Sequence, residues 1–319
     1  MIHGPRWVEV ASHAQCRPRR GHQIGAHSKL AQLWVGLLIA LATLMMAPAA
    51  SAESRFCVPS KAARASLLQF ERIVNECGRE GHCWEKERAI LEKALRTSPS
   101  DPHLHRAYQD IFTRWAPNDY EMNVPDFEQF YELLLAEDPD NPTYLYGAGR
   151  SAEDPAKALA FFEQGIRIAP AFPWNHVGLA YVSASDGEYR DLGKLKKHMG
   201  RFIEICPSRS KVALSYAPQI ESPEFWQTYL PQLRQALSQE PIAGTFVHYA
   251  QIWQIELTYW PEGEHKRVKR RIARDLGRIE ALDFWENEAW TATLLGGYGL
   301  LGKDEKVAQI EAEVARRQP

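Results

Sequence analysis

Cysteines are the residues of this chain with the most definite chemistry. Four of them lie downstream of residue 52: Cys57, Cys77, Cys83 and Cys206. An even number of cysteines in an exported protein predicts disulfide bonds, and four cysteines allow three pairings. The sequence around them must therefore decide which pairs can meet.

The predicted first helix narrows the choice of disulfide partners. It begins after Ser60 and continues to the residue before Cys77, and a helix of about 16 residues spans roughly 24 Å. Cys57 then lies at the far end from Cys77 and Cys83, whereas bridged Cα atoms lie within about 7 Å of each other. Cys77 and Cys83 flank the turn 78–82 between two antiparallel helices. We predict a Cys77–Cys83 disulfide, with Cys206 as a packed or free thiol.

Catalytic and cofactor motifs are absent from the sequence. It contains no nucleophile elbow, no phosphate-binding glycine loop, no H-E-x-x-H and no C-x-x-C. His103 and His105 with Asp101 suggest a metal site, but histidines two apart on a helix point to different sides. We therefore predict no enzyme activity, no metal and no cofactor. Two alternatives remain open: an enzyme of the cell envelope on a superhelical scaffold, and a structural subunit of an envelope complex.

One predicted helix carries a dense group of cations. Its opposite face is apolar, with Val268, Ile272, Leu276 and Ile279. The cationic face is typical of a solvated outer surface, and it would also suit an acidic partner or an anionic membrane. The cations are Lys266, Arg267, Lys269, Arg270, Arg271, Arg274 and Arg278.

The N-terminal segment 1–52 has the order of a signal peptide. Basic residues precede an apolar run from Leu33 to Met46, and small residues follow at 50–52. The run is shorter than the roughly 20 residues of a membrane span. We predict cleavage after Ala52 and export to the periplasm or the medium, with a retained membrane anchor as the alternative.

The exported part, residues 53–319, is mildly acidic. It holds 33 Lys and Arg against 39 Asp and Glu, a formal net charge of -6. Because nucleic-acid binding depends on excess positive charge, we expect no nucleic-acid partner. A single globular core rarely extends over so long a chain, but a solenoid can, since each unit packs only on its neighbours.

Helix-sized segments end at regularly spaced prolines. The spacing is 31 to 40 residues, which is the period of a helical-repeat array. Apolar triplets at intervals of four and three precede each proline, and similar triplets lie upstream, so each unit is predicted to be a helical hairpin. The ends are Pro99, Pro139, Pro170, Pro207, Pro241, a gap near Asp283, and Pro319.

The chain resembles the tetratricopeptide repeat family in two of its segments. Residues 174–181, with the sequence Trp-Asn-His-Val-Gly-Leu-Ala-Tyr, are similar to the first-helix signature of that family. Ala158, Phe162, Gly165 and Pro170 match its second helix. The resemblance implies an all-α, right-handed superhelical solenoid of about seven hairpins over 53–319, clearest in residues 140–207. It also implies peptide or protein binding in a concave groove.

The predicted groove follows from helical geometry. A residue next to a packing residue is rotated by about 100° and faces the inner surface. The alternative is that these side chains pack against neighbouring units, because a register error of one residue exchanges the two faces. The predicted groove residues are His105, Gln109, Phe112, Tyr144, Ala148, Asn175, Leu179, Val182, Val247, Gln251 and Gln254.

The sequence thus predicts an exported interaction scaffold. We expect its partner to be a protein or peptide held in the groove, and we expect contact with a membrane only through an uncleaved signal segment.

Overall fold

The structure is a computed structural model that describes residues 54–77, 83–115, 124–185 and 187–317. Within these ranges the secondary structure is entirely helical. The predicted signal peptide and its cleavage site lie outside the described residues. The prediction of an all-α fold is confirmed.

The α-helices follow one another as neighbouring pairs. We call each pair a unit. Within a unit the two helices pack against each other where the structure describes both, as α5 and α6 do, and the second packs against the first helix of the next unit. The helices are α1 (Lys61–Cys77), α2 (Trp84–Thr97), α3 (Pro102–Trp115), α4 (Phe127–Glu137), α5 (Pro142–Ser151), α6 (Pro155–Ile168), α7 (Pro173–Ala184), α8 (Leu192–Ile205), α9 (Pro223–Ser238), α10 (Phe246–Tyr259), α11 (His265–Glu280), α12 (Glu288–Leu300) and α13 (Asp304–Arg317).

The helix ends follow local sequence signals. The second helix of each of the first four units ends two residues before its proline, as α6 does at Ile168 before Pro170. Proline lacks the amide hydrogen and its ring clashes with the preceding turn. Where proline is missing near the end of α11, Asp283 adopts a positive φ of 55° and turns the chain instead.

Side-chain caps fix the helix starts. Ser60 accepts a hydrogen bond from the Ala63 amide at 3.2 Å, as predicted for the N-cap of α1. Capping oxygens of this kind satisfy amides that have no partner inside the helix. The other capping residues are Asp126, Asn141, Asp154, Asp191, Ser222 and Asn287.

The fifth unit departs from the predicted hairpin. Its first element is a 3-10 helix, Pro207–Tyr216, which packs on α9. Proline at its start, Pro218 beyond its end and three serines between them disfavour a longer α-helix, because serine competes for backbone hydrogen bonds. Ala213 and Leu214 are fully buried and anchor this segment in the core.

Glycines let consecutive first helices approach the aromatic ring of the intervening second helix. The buried ring of Phe162 lies between Gly149 of α5 and Gly178 of α7. A Cβ atom at either glycine would overlap the ring.

Ring N–H groups tie each of three units to the preceding turn. The Nε2 atoms of His105 and His176 lie 2.5 and 3.3 Å from the carbonyl oxygens of Pro99 and Pro170. The indole of Trp226 donates to the carbonyl of Ile220 at 2.7 Å. Each acceptor lies six residues upstream of its ring. The contact gives a carbonyl of the turn a hydrogen-bond donor.

A buried ionic network links α9, α10 and α11. Glu256 accepts two hydrogen bonds from Arg234, at 2.9 and 2.5 Å, and a third from Arg271 at 2.8 Å. Asp275 accepts from the indole of Trp253 at 3.3 Å. Both carboxylates are 2 % exposed, so they depend on these partners. Buried charges of this kind are tolerated only when paired.

Replacing Gly178 should show how tight the helix approach is. We expect Gly178→Ala to lower the free energy of unfolding by about 1 to 3 kcal/mol, because the added methyl group displaces the Phe162 ring. Gly277→Ala in α11 is the matched control, since a Cβ there meets open space. It should raise stability by about 0.5 to 1 kcal/mol. Urea unfolding measures both, and equal effects would contradict the proposed packing.

Candidate functional site

A disulfide between Cys57 and Cys206 places the segment before α1 against the end of α8. Their Cα atoms are 5.4 Å apart although 149 residues separate them in sequence. The prediction of a packed or free thiol at Cys206 is therefore wrong. The prediction compared only cysteines close to the first hairpin, whereas the two bonded cysteines belong to segments several units apart in sequence. Cys83 is also disulfide-bonded. The side chain of Cys77 lies outside the described residues, so the Cys77–Cys83 pair stays a prediction.

We call residues 54–59 the N-terminal strap. It contains a tight turn in which the Cys57 amide donates to the Ser54 carbonyl at 2.9 Å. Arg209 of the 3-10 helix donates to the Cys57 carbonyl at 3.0 Å. The Ser54 amide donates to the Ile205 carbonyl at 3.4 Å. The strap is thus bound through its backbone as well as through the disulfide.

The carbonyl oxygen of Phe56 contacts two ring nitrogens of the helices beneath the strap. It accepts from the indole of Trp174 at 2.9 Å and lies 3.2 Å from Nε2 of His103. The Phe56 ring meets the ring of Phe172 edge-on, with centroids 4.9 Å apart. First helices of two different units, α3 and α7, therefore hold one peptide segment between them.

Beyond the strap, α3, α5, α7 and the 3-10 helix bring together a group of charged and aromatic side chains. Asp110 pairs with Arg150 at 2.7 Å and with Arg106 at 3.5 Å. The Arg106 guanidinium lies 5.6 Å from the ring centre of Trp174, and that of Arg150 lies 5.8 Å from Tyr146. Such cation–π contacts hold both guanidinium groups over aromatic rings. We call this surface the inner face: Arg106, Asp110, Tyr146, Arg150, Trp174, Tyr181 and Tyr216.

The electrostatics of the inner face keep its arginine charged and its phenol neutral. Burial disfavours the charge of Arg150, yet Tyr146 and Asp110 raise the pKa of its guanidinium above the usual value. Burial, and then Tyr146 and Tyr181, raise the pKa of Tyr216 to about 12. At neutral pH the surface offers a fixed cation and a phenolic hydrogen-bond donor.

A cavity of about 270 Å³ opens at one edge of the inner face. Arg150 and Ser151 of α5 form one wall, and Val124 and Phe127 form another. The remaining lining residues are Gln109 and Phe112 of α3, both predicted for the groove. The Gln109 amide donates to the Gly147 carbonyl at 3.0 Å, so it also connects α3 to α5.

Most of the predicted groove residues pack between helices. Asn175 is 0 % exposed and donates to the Pro142 carbonyl at 3.3 Å. Its burial is incompatible with the predicted open groove. Asn175 follows the alternative instead, in which these side chains pack against neighbouring units. The same holds for the other buried members, which are His105, Gln109, Phe112, Tyr144, Ala148, Leu179 and Val182. In α10, Val247 is 42 % exposed, Gln254 is exposed and Gln251 is partly buried.

The inner face was missed because the helical register was shifted. Leu179 and Val182 were predicted for the groove and are buried, whereas the side chain of the neighbouring Tyr181 is 65 % exposed. In α3 and α5, the charged residues Arg106, Asp110 and Arg150 were the available signal. A charge amid apolar helix residues indicates a face that stays in contact with water.

Two histidines of α7 and α8 form a close pair. Nδ1 of His176 lies 2.9 Å from Nδ1 of His198. His176 directs its Nε2 to the Pro170 carbonyl, so that atom carries the hydrogen and Nδ1 accepts from His198. Among the described residues, no three His, Cys, Asp or Glu side chains are grouped as metal ligands would be.

Comparisons with other proteins give no family assignment. No family model and no curated protein matches this chain. None of the helices in the described ranges is long and apolar enough to cross a bilayer. The disulfides are compatible with an exported protein.

Removing the Cys57–Cys206 disulfide should weaken the fold measurably. We expect the double variant Cys57→Ser with Cys206→Ser to lose about 2 to 5 kcal/mol of unfolding free energy, because the bond closes a long loop in the unfolded chain. Urea unfolding without reductant measures the change. Peptide mapping of the wild-type protein without reduction should recover the two segments cross-linked. Recovery of an alkylated, unlinked Cys206 would contradict the pairing.

Acidification should destabilise the folded protein, in part through the strap contact of His103. Burial lowers the pKa of His103 to about 4, and burial followed by His176 lowers the pKa of His198 to about 4. The unfolded chain binds these protons near pH 6.5, so stability is lost as pH falls from about 6.5 to about 4 and levels off below. Unfolding free energies measured across this range should fall less steeply for His103→Gln. An unchanged slope would show that His103 does not contribute.

Proposed function

We propose that this protein is an exported interaction scaffold whose inner face binds a protein or peptide segment. In this proposal the units continue as a right-handed superhelix of the tetratricopeptide type, and the molecule acts in the periplasm or outside the cell. The binding surface is formed by first helices, as the family resemblance implies, but by a different set of residues from those first predicted.

The N-terminal strap is the single observation that carries the proposal. A peptide segment already lies across α3 and α7, with its carbonyl bound by Trp174 and His103 and its aromatic ring on Phe172. Recognition of backbone atoms plus one aromatic anchor is the usual chemistry of peptide binding. The inner face continues from this point with the same types of group.

The inner face favours a partner with an aromatic and an acidic side chain. Arg106 and Arg150 supply two cations against the one carboxylate of Asp110, which leaves an excess positive charge. The exposed ring of Tyr181 and the neutral phenol of Tyr216 provide stacking and hydrogen bonding. A carboxylate seated between the arginines would receive charge-assisted hydrogen bonds.

Binding rather than catalysis fits these groups. Arginine, tyrosine and tryptophan are the side chains most enriched at binding hot spots. The proposal assigns no reaction and no cofactor to the inner face.

Selection of displayed random peptides on the purified protein tests the proposal. We expect enrichment of peptides that pair an aromatic residue with Asp or Glu. Tyr181→Ala should weaken their binding by about tenfold or more, because the ring is an exposed stacking surface. Fluorescence titration with the selected peptides measures the loss.

One control variant and one further test variant complete the experiment. Leu133→Ala removes another exposed apolar side chain, 64 % exposed, on α4 outside the inner face and should leave peptide binding unchanged. Arg150→Gln should weaken acidic peptides selectively. Equal losses in Tyr181→Ala and Leu133→Ala, or no enrichment of any sequence, would refute the proposed function.

A further inference from the structure

Helix α11 is the strongest concentration of positive charge in the described structure, and most of its cations face solvent. Seven of the sixteen residues of the helix are Lys or Arg. Its apolar residues, among them Val268 and Ile272, are fully buried in the core. The exported chain as a whole is acidic, so this charge is localised rather than a general property of the surface. The solvent-facing cations are not needed for packing, because the opposite, apolar face of α11 packs on the core.

Part of this charge converges on one cavity. A cavity of about 590 Å³ lies between the first turns of α11 and the turn that joins α12 to α13. Lys266, Lys269 and Arg270 form its α11 wall, at helix spacings of three and four, and Lys303 faces them from the turn. Glu262 is the only carboxylate among its lining residues.

Within the described ranges, the four cations of the cavity lack the ion pairs that several neighbouring cations form. Arg271 pairs with Glu256, Arg267 with Glu264, and Lys306 with Glu280. Among the described residues, no carboxylate pairs with Lys266, Lys269, Arg270 or Lys303. Like charges that converge without counterions repel one another, and a bound anion would remove that repulsion.

The charge and size of the cavity define the class of anion. Four cations against Glu262 leave a formal charge of +3, which a single carboxylate compensates only in part. A water molecule occupies about 30 Å³ of liquid, so the cavity accommodates more than one phosphate-sized group. Ala273 and Leu301 add an apolar wall that an organic substituent can contact.

We propose that this cavity is a second binding site, distinct from the inner face, for a multivalent phosphate such as a diphosphate or a phosphate ester. Lys266, Lys269, Arg270 and Lys303 bind the phosphate oxygens by charge-assisted hydrogen bonds. The phosphate belongs either to a soluble molecule or to a lipid headgroup, and the chemistry of recognition is the same for both.

Isothermal titration calorimetry with inorganic pyrophosphate tests the site in the purified protein. Arg270→Gln should weaken binding about tenfold, the effect of losing one charge-assisted hydrogen bond. Arg278→Gln is the matched control, because it removes the same charge from the same helix outside the cavity. Lys303→Gln tests the opposite wall independently of the α11 sequence. Thermal unfolding of each variant reports whether it is folded.

A parallel measurement identifies the source of the phosphate. Sedimentation with vesicles of phosphatidylcholine, alone or mixed with phosphatidylglycerol, should show binding that depends on Arg270 if the ligand is a headgroup. Pyrophosphate binding with loss in Arg270→Gln supports a soluble ligand. Vesicle binding alone with the same loss supports a lipid. The proposal is overturned if neither probe binds, if acetate binds as well as pyrophosphate, or if Arg278→Gln weakens binding as much as Arg270→Gln.

Discussion

The approach of consecutive first helices to a shared aromatic ring is the constraint on which the rest of the structure depends. Phe162 occupies the space left by Gly149 and Gly178, and no side chain larger than hydrogen fits at either position. The same approach brings α5 and α7 side by side. Tyr146 and Trp174 then lie with ring centroids 6.1 Å apart. Close packing behind the inner face therefore positions the groups in front of it.

The sequence predicted what depends on local chemistry and missed what depends on distant contacts. Prolines and caps act within one turn of the chain, so the helix ends around Pro170 and Ser60 were predictable. The partner of Cys206 was not, because 149 residues separate it from Cys57 and no local pattern records which units meet. The inner face lies between these cases. Its helical period was correct, but a shift of one residue rotates a helix surface by about 100°. Val182 is therefore buried where Tyr181 is exposed.

The cations on the two sides of α11 have different roles. Toward the core, Arg271 meets the buried Glu256, and the pair is satisfied together with Arg234. Removing one partner would leave a buried charge without compensation, which costs far more than an exposed pair contributes. Toward solvent, the cations of the α11 cavity have water as their alternative partner, so they contribute little to folding. Their convergence is better explained by binding than by stability.

In the proposed function, the N-terminal strap determines how a partner could reach the inner face. Because the Cys57–Cys206 bond tethers it, the strap competes as an intramolecular ligand, with an effective concentration far above that of a free peptide. A partner that had to displace Phe56 from Trp174 would first have to overcome this advantage. Arg106, Arg150 and Tyr181 lie outside the strap's own hydrogen bonds, so a partner can bind them alongside it. The strap then forms one wall of the binding surface, which explains why a covalent bond holds it in place.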